Sequence, residues 1–127
     1  MKILIVSQYF WPENLKINDV AKGLVEKGYD VSVLTGLPNY PNGKIYNGYS
    51  FPKNKKENHK GITIYRSPLI PRGNGSGVRL FLNYFSLAIL ASLRVLFIKS
   101  NFDKILVYEV SPVTIGIPAI IAKYRFK

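Results

Sequence analysis

The sequence predicts one α/β domain, a Rossmann-like parallel sheet with helices on both faces, and three observations lead there. Lys2-Ile3-Leu4-Ile5-Val6 is a short, continuous apolar run rich in β-branched residues, the pattern of a strand buried on both sides. An amphipathic segment and a second β-rich run follow it through short connections, the order of a βαβ unit with parallel strands. Two more strand-like runs come later, each followed by a helical stretch.

In chain order, Leu15 to Lys27 is the first helix, with apolar positions at Leu15, Val20, Ala21, Leu24 and Val25 and with Gly28 as its stop. Asp30 to Thr35 is the second strand, closed by the turn residues from Gly36 to Gly43. From Gly43 to Gly61 the chain is polar and lysine-rich and reads as a solvated excursion, with His59 a solvated loop residue. Ile62-Thr63-Ile64-Tyr65-Arg66 alternates as a half-exposed third strand does. A glycine-rich loop leads into a helix from about Val78 to Ile98. Arg79, Asn83, Ser86 and Arg94 form its narrow polar stripe, and apolar residues cover the rest. Only fourteen residues separate Arg79 from Arg94, too few to span a bilayer. Phe102 to Tyr108 is the fourth strand, and Thr114 to Lys127 starts another helix with Pro118 in its first turn. A sheet that ends on a crossover helix lacks the strand that helix leads to, so the domain is expected to be incomplete.

The chain has 127 residues and no cysteine, which excludes disulfides and thiolate metal sites and fits a reducing compartment. Its 18 Lys and Arg outnumber 7 Asp and Glu, a net charge of +11 that favours an anionic partner. No signal peptide is recognised at the start, because the apolar run is short and no small-residue cleavage site follows it.

Ligands of open α/β sheets bind beyond the carboxyl ends of the strands. The loop after Val6, Ser7 to Asn14, has no glycine, so a dinucleotide fingerprint is excluded there. Tyr9, Trp11, Glu13 and Asn14 suit stacking on and hydrogen bonding to a sugar, although Tyr9, Phe10 and Trp11 fit equally well as a plug at the sheet edge. Asn39 and Tyr40, after the second strand, would form the opposite wall. Arg72 and Arg79 flank the glycine-rich loop and would neutralise a diphosphate at a helix N-terminus. Glu109, after the fourth strand, would orient an acceptor hydroxyl. Phe81, Tyr84 and Phe85 are the candidate membrane contacts. No catalytic residue and no metal ligand is identified. The rival is a non-catalytic basic module for nucleic acid or anionic membrane, built on Lys53 to Lys60 with Lys123, Arg125 and Lys127. An α/β scaffold without activity is a third reading.

The segments ILIVSQYFWPEN, KINDVAKGLVEKGYDVSVLTGLPNYPNGKIYNGY, YRSPLIPRGNGSGVRLFLNYFS and SPVTIGIPAI resemble the N-terminal domain of retaining GT-B glycosyltransferases of family four. The branch they resemble is that of O-antigen and capsule enzymes described as L-fucosamine transferases. The resemblance implies an acceptor-binding domain over residues 1–127, with the nucleotide-sugar-binding C-terminal domain and its E-x7-E motif lying outside it. It implies transfer of a sugar from a nucleotide donor to a lipid-linked saccharide, in the cytoplasm and peripherally on the inner face of the membrane. No cofactor beyond the donor substrate and no nucleic acid is expected, and the 127 residues alone are expected to be inactive. Where many members carry Gly-Gly in the first loop, this chain has Leu15-Lys16.

Overall fold

The computed structural model describes residues 1–108 and 113–126. Its strands are β1 (Lys2–Ser7), β2 (Asp30–Gly36), β3 (Lys56–His59), β4 (Ile62–Ser67) and β5 (Lys104–Tyr108). They form one sheet in the order β3-β4-β2-β1-β5, with β1, β2, β4 and β5 parallel and β3 antiparallel to β4. The helices are α1 (Lys16–Glu26), α2 (Gly77–Leu96) and α3 (Gly116–Arg125), the last preceded by a 3-10 turn at Val113–Ile115. Pro118 lies in the first turn of α3, where its missing N–H costs nothing. The Rossmann-like α/β class read from the sequence is the observed one.

β1 sits in the middle because it is apolar on both sides. Ile3 and Ile5 pack with Ile17 and Ala21 of α1 on one face. On the other, Leu4 and Val6 meet Leu87, Ala91 and Val95 of α2 and Ala119 and Ala122 of α3. Leu4, Ile5 and Val6 are wholly inaccessible, and burying three such side chains is worth on the order of 6 kcal/mol. α1 ends where expected: Gly28 turns the chain at φ +91°, and the Tyr29 N–H closes on the Leu24 carbonyl.

Three expectations are corrected. Residues 56–59 of the supposed excursion form an edge strand, because β4 needs a partner on its open side. His59 is not a free loop residue; its ring stacks on Trp11, with centroids 3.6 Å apart and planes 13° from parallel. β4 is not half-exposed, since Ile62 and Ile64 pack in the core under α1, Tyr65 packs in the core under α2, and Arg66 is completely buried. The Arg66 guanidinium donates to the Glu57 carboxylate at 2.7 Å, to the Gly36 carbonyl at 2.8 Å and to the Trp11 carbonyl. One side chain thus ties β3, the end of β2 and the β1 loop together, with every donated bond charge-assisted.

α2 differs from an ordinary surface helix in turning polar as well as apolar residues inward. Its polar stripe faces the chain that leads into it: Asn83 Nδ2 donates to the Ile70 carbonyl, Ser86 Oγ accepts from the Ile70 N–H, and Arg94 donates to the carbonyls of Arg66 and Lys55. The apolar residues left over point outward.

Replacing Arg66 by Ala strands the partly buried Glu57 charge and leaves two carbonyls without donors. A loss of about 3–5 kcal/mol in unfolding free energy is expected, read from urea midpoints of the variant and the parent chain.

Candidate functional site

A cavity of about 270 Å³ opens at the carboxyl ends of the strands. Ser7 at the end of β1, Gln8 and Tyr9 after it, Tyr40 after β2, Arg72 after β4, Tyr84 on α2 and Tyr108 at the end of β5 line it, with Leu15 and Lys16 at the start of α1. Loops far apart in sequence meet there because buried polar groups tie them together. Both oxygens of Glu13, a residue 1% exposed, accept main-chain N–H bonds: Oε1 from Phe10 at 3.2 Å, Oε2 from Asn39 at 2.9 Å and Tyr40 at 2.8 Å. Asn39, itself wholly buried, carries the tie onward, its Oδ1 accepting from the Arg72 N–H at 3.0 Å. A backbone crossing locks the same corner, where the Gly73 N–H donates to the Gly43 carbonyl at 2.9 Å. Both glycines have positive φ, and a Cβ at Gly43 would lie 1.8 Å from the Gly73 oxygen.

The tie sets the electrostatics. Tyr9 and Tyr40 lie with ring centroids 5.1 Å apart, and the Arg72 guanidinium sits 5.6 Å from the first ring and 5.2 Å from the second. Arg72 also donates to the Tyr9 hydroxyl. Burial pushes the Tyr9 phenol up to about 12, against the pull of the Arg72 charge, so it stays neutral. The described residues contain one ion pair, Arg66 with Glu57, so Arg72 brings an uncompensated positive charge to the cavity. Gln8, 4% exposed, spends its Nε2 on Asn83 at 3.1 Å, and its buried Oε1 has no hydrogen-bond partner. A cation on a tyrosine-walled cavity suits an anion. Among the described residues no three His, Asp or Glu side chains gather as a metal site.

Of the residues singled out in the sequence, Tyr9, Tyr40 and Arg72 come together, and Tyr84 joins them instead of facing outward with Phe81 and Phe85. Glu13 and Asn39 sit beneath the cavity as its ties, too buried to touch a ligand. Trp11 points elsewhere, lining a separate cavity against α1 with His59. Arg79 is spent on the loop: it donates to the Pro71 carbonyl at 2.9 Å and packs on Gly73. Asn14 is exposed and does not line the cavity, and Glu109 lies outside the described residues. Sequence reasoning missed Gln8, Lys16 and Tyr108. Their position directly after β1, at the start of α1 and at the end of β5 was the available signal. A larger cavity of about 550 Å³ lies between β5 and α3, but Asp103 and Lys104 place it toward the amino end of β5.

Burial pushes the Glu13 carboxyl up to about 7, against the three N–H donors and Arg66, which favour its charged form. The folded value lies above the usual 4.5, so the fold holds this proton more tightly than the unfolded chain does. The associated stability is full below about pH 4.5 and is lost as pH rises through 7, up to about 3 kcal/mol. Glu13→Gln should flatten that slope in urea titrations between pH 5 and 8, and should lower stability at pH 5 because its amide offers an N–H where the loops need an acceptor.

Comparison with protein-family models finds no match, and comparison with curated proteins finds none either.

Proposed function

We propose that this chain is the acceptor-binding part of a retaining GT-B glycosyltransferase. Such an enzyme moves a sugar from a nucleotide-sugar donor to a lipid-linked saccharide during synthesis of a bacterial surface polysaccharide. One observation carries the reading: Arg72, with no carboxylate partner among the described residues, stands on a tyrosine-walled cavity of about 270 Å³, at the strand ends where open α/β sheets take their ligands. Resemblance of the loop sequences to family-four enzymes supports the sugar and diphosphate chemistry.

In this reading Arg72 neutralises the diphosphate that links the acceptor sugar to its lipid, with Lys16 at the rim as a second cation. Tyr9, Tyr40 and Tyr84 form the wall against which the sugar lies. The cavity is small for a drug-sized ligand and fits one sugar ring with its phosphate end. Glu109 keeps the role of orienting the acceptor hydroxyl. The donor and the groups that act on its anomeric carbon belong to a second domain, so the 127 residues bind without catalysing transfer.

A nucleic-acid module finds less support. Two aromatic rings at the lysine-rich stretch are already engaged: Tyr49 lies under Arg66 at 5.1 Å, and Tyr65 lies under both Lys56 and Arg94. Bases need free ring faces to stack on.

Titration calorimetry of the chain with a soluble sugar 1-diphosphate tests the proposal. Arg72→Ala should weaken binding by about 10-fold to 100-fold, the worth of a charge-assisted hydrogen bond. Arg79→Ala should lower stability and leave affinity within about twofold, because that side chain serves the loop. Unchanged affinity in Arg72→Ala would falsify the assignment.

A further inference from the structure

Beneath the strand-end cavity lies a carboxyl group that no ligand touches. Glu13 is buried, and it takes its three main-chain N–H groups on two unequal oxygens. Oε2 holds Asn39 and Tyr40 at 2.9 and 2.8 Å, whereas Oε1 holds only Phe10, at 3.2 Å. Both residues on Oε2 lead to the cation of the cavity. The Tyr40 ring lies 5.2 Å from the Arg72 guanidinium, and Asn39 Oδ1 accepts from the Arg72 N–H.

The inequality decides what a proton would disturb. On Oε1 it displaces one long bond, from Phe10, while Oε2 keeps both bonds to the loop after β2. The loops stay tied and the negative charge disappears. That charge reaches the cavity wall: burial is the main cause that pushes the Tyr9 phenol up, and the Glu13 charge adds to it, as both do at Tyr46. Tyr9 lines the cavity, so a field that opposes a phenolate there also opposes an anionic ligand.

Few charged or titratable groups meet Glu13. Tyr9 in its own loop and Tyr46 after β2 are pushed up and stay neutral, and Arg66 on β4 stays charged. From α1 comes the neutral Asn18, whose Nδ2 donates to the Glu13 carbonyl at 2.8 Å. Burial pushes Glu13 itself up to about 7, so it changes charge near neutrality while these neighbours do not.

We propose that Glu13 makes the strand-end cavity a proton-linked anion site: a proton taken from solvent onto Oε1 removes the negative charge beneath the cavity and tightens its hold on the anion. The inference rests on the reading that this cavity takes an anionic acceptor. One unit charge removed from roughly 10 Å away, after screening, is worth about fivefold in affinity. By reciprocity the bound anion holds the Glu13 proton more tightly by the same factor, so binding near neutral pH draws a fraction of a proton from the buffer. Affinity is low above about pH 8.5, rises as pH falls through 7 and levels off below about pH 5.5.

Titration calorimetry with an alkyl diphosphoryl hexose tests this, because the phosphates of such a diester carry no proton across that range. The parent chain should bind about fivefold more tightly at about pH 5.5 than at about pH 8.5, and in buffers of different ionisation enthalpy near neutral pH it should take up a fraction of one proton. Glu13→Gln, neutral throughout, should bind equally at both pH values. His59→Asn should keep the parent's profile, because the imidazole, the other side chain that titrates in this range, stacks on Trp11 and does not line the cavity. Proton uptake is read on the parent alone, so the test stands even if Glu13→Gln does not fold. Equal or weaker parent binding at the lower pH, no proton uptake, a Glu13→Gln profile that follows the parent's, or a profile lost in His59→Asn would overturn the linkage and leave the anion reading of the cavity intact. No binding by the parent at either pH would overturn the anion reading and the linkage with it.

Discussion

Everything at the strand ends depends on one buried carboxylate. Glu13 receives main-chain N–H groups from its own loop and from the loop after β2, on two oxygens where an amide would offer one. That arrangement brings Asn39 within reach of the Arg72 main chain, and so stations a guanidinium over two tyrosine rings. Without that side chain the first loop loses its direct bonds to the loop after β2, and the Asn39–Arg72 bond, the Arg72–Tyr9 contact and the glycine crossing remain. Arg66 plays the matching part on the α1 side of the sheet, where it binds three otherwise separate segments.

Periodicity and turn residues made the sheet and helices legible. Ile3 to Val6 announced a central strand by being apolar on every residue, and Gly28 marked the end of α1 by the backbone geometry only glycine adopts freely. β3 was hidden because Lys56, Glu57, Asn58 and His59 carry no apolar side chain; an edge strand exists through main-chain bonds, which composition does not record. Arg66 looked exposed because alternation describes one strand and not the loops that close over its face.

For the cavity, the types of residue were readable and their jobs were not. Tyr9, Tyr40 and Arg72 stood out as residues suited to a sugar phosphate, and they meet. Glu13 and Asn39 stood out for the same reason, yet they are consumed by the backbone. A carboxylate beneath a site and one within it look alike in a sequence; only the count of N–H donors around each oxygen separates them. α2 was readable in composition, but its polar stripe turns inward, because those residues satisfy the chain that precedes it.

The contact between Trp11 and His59 gives the molecule a built-in optical gauge. The chain has a single tryptophan and a single histidine, and they lie ring on ring across the gap between the first loop and the edge hairpin. An imidazolium held against an indole quenches its emission, so fluorescence reports acidification only while those two segments stay docked. Mild peeling of the hairpin becomes visible as brightening, long before the central strands part.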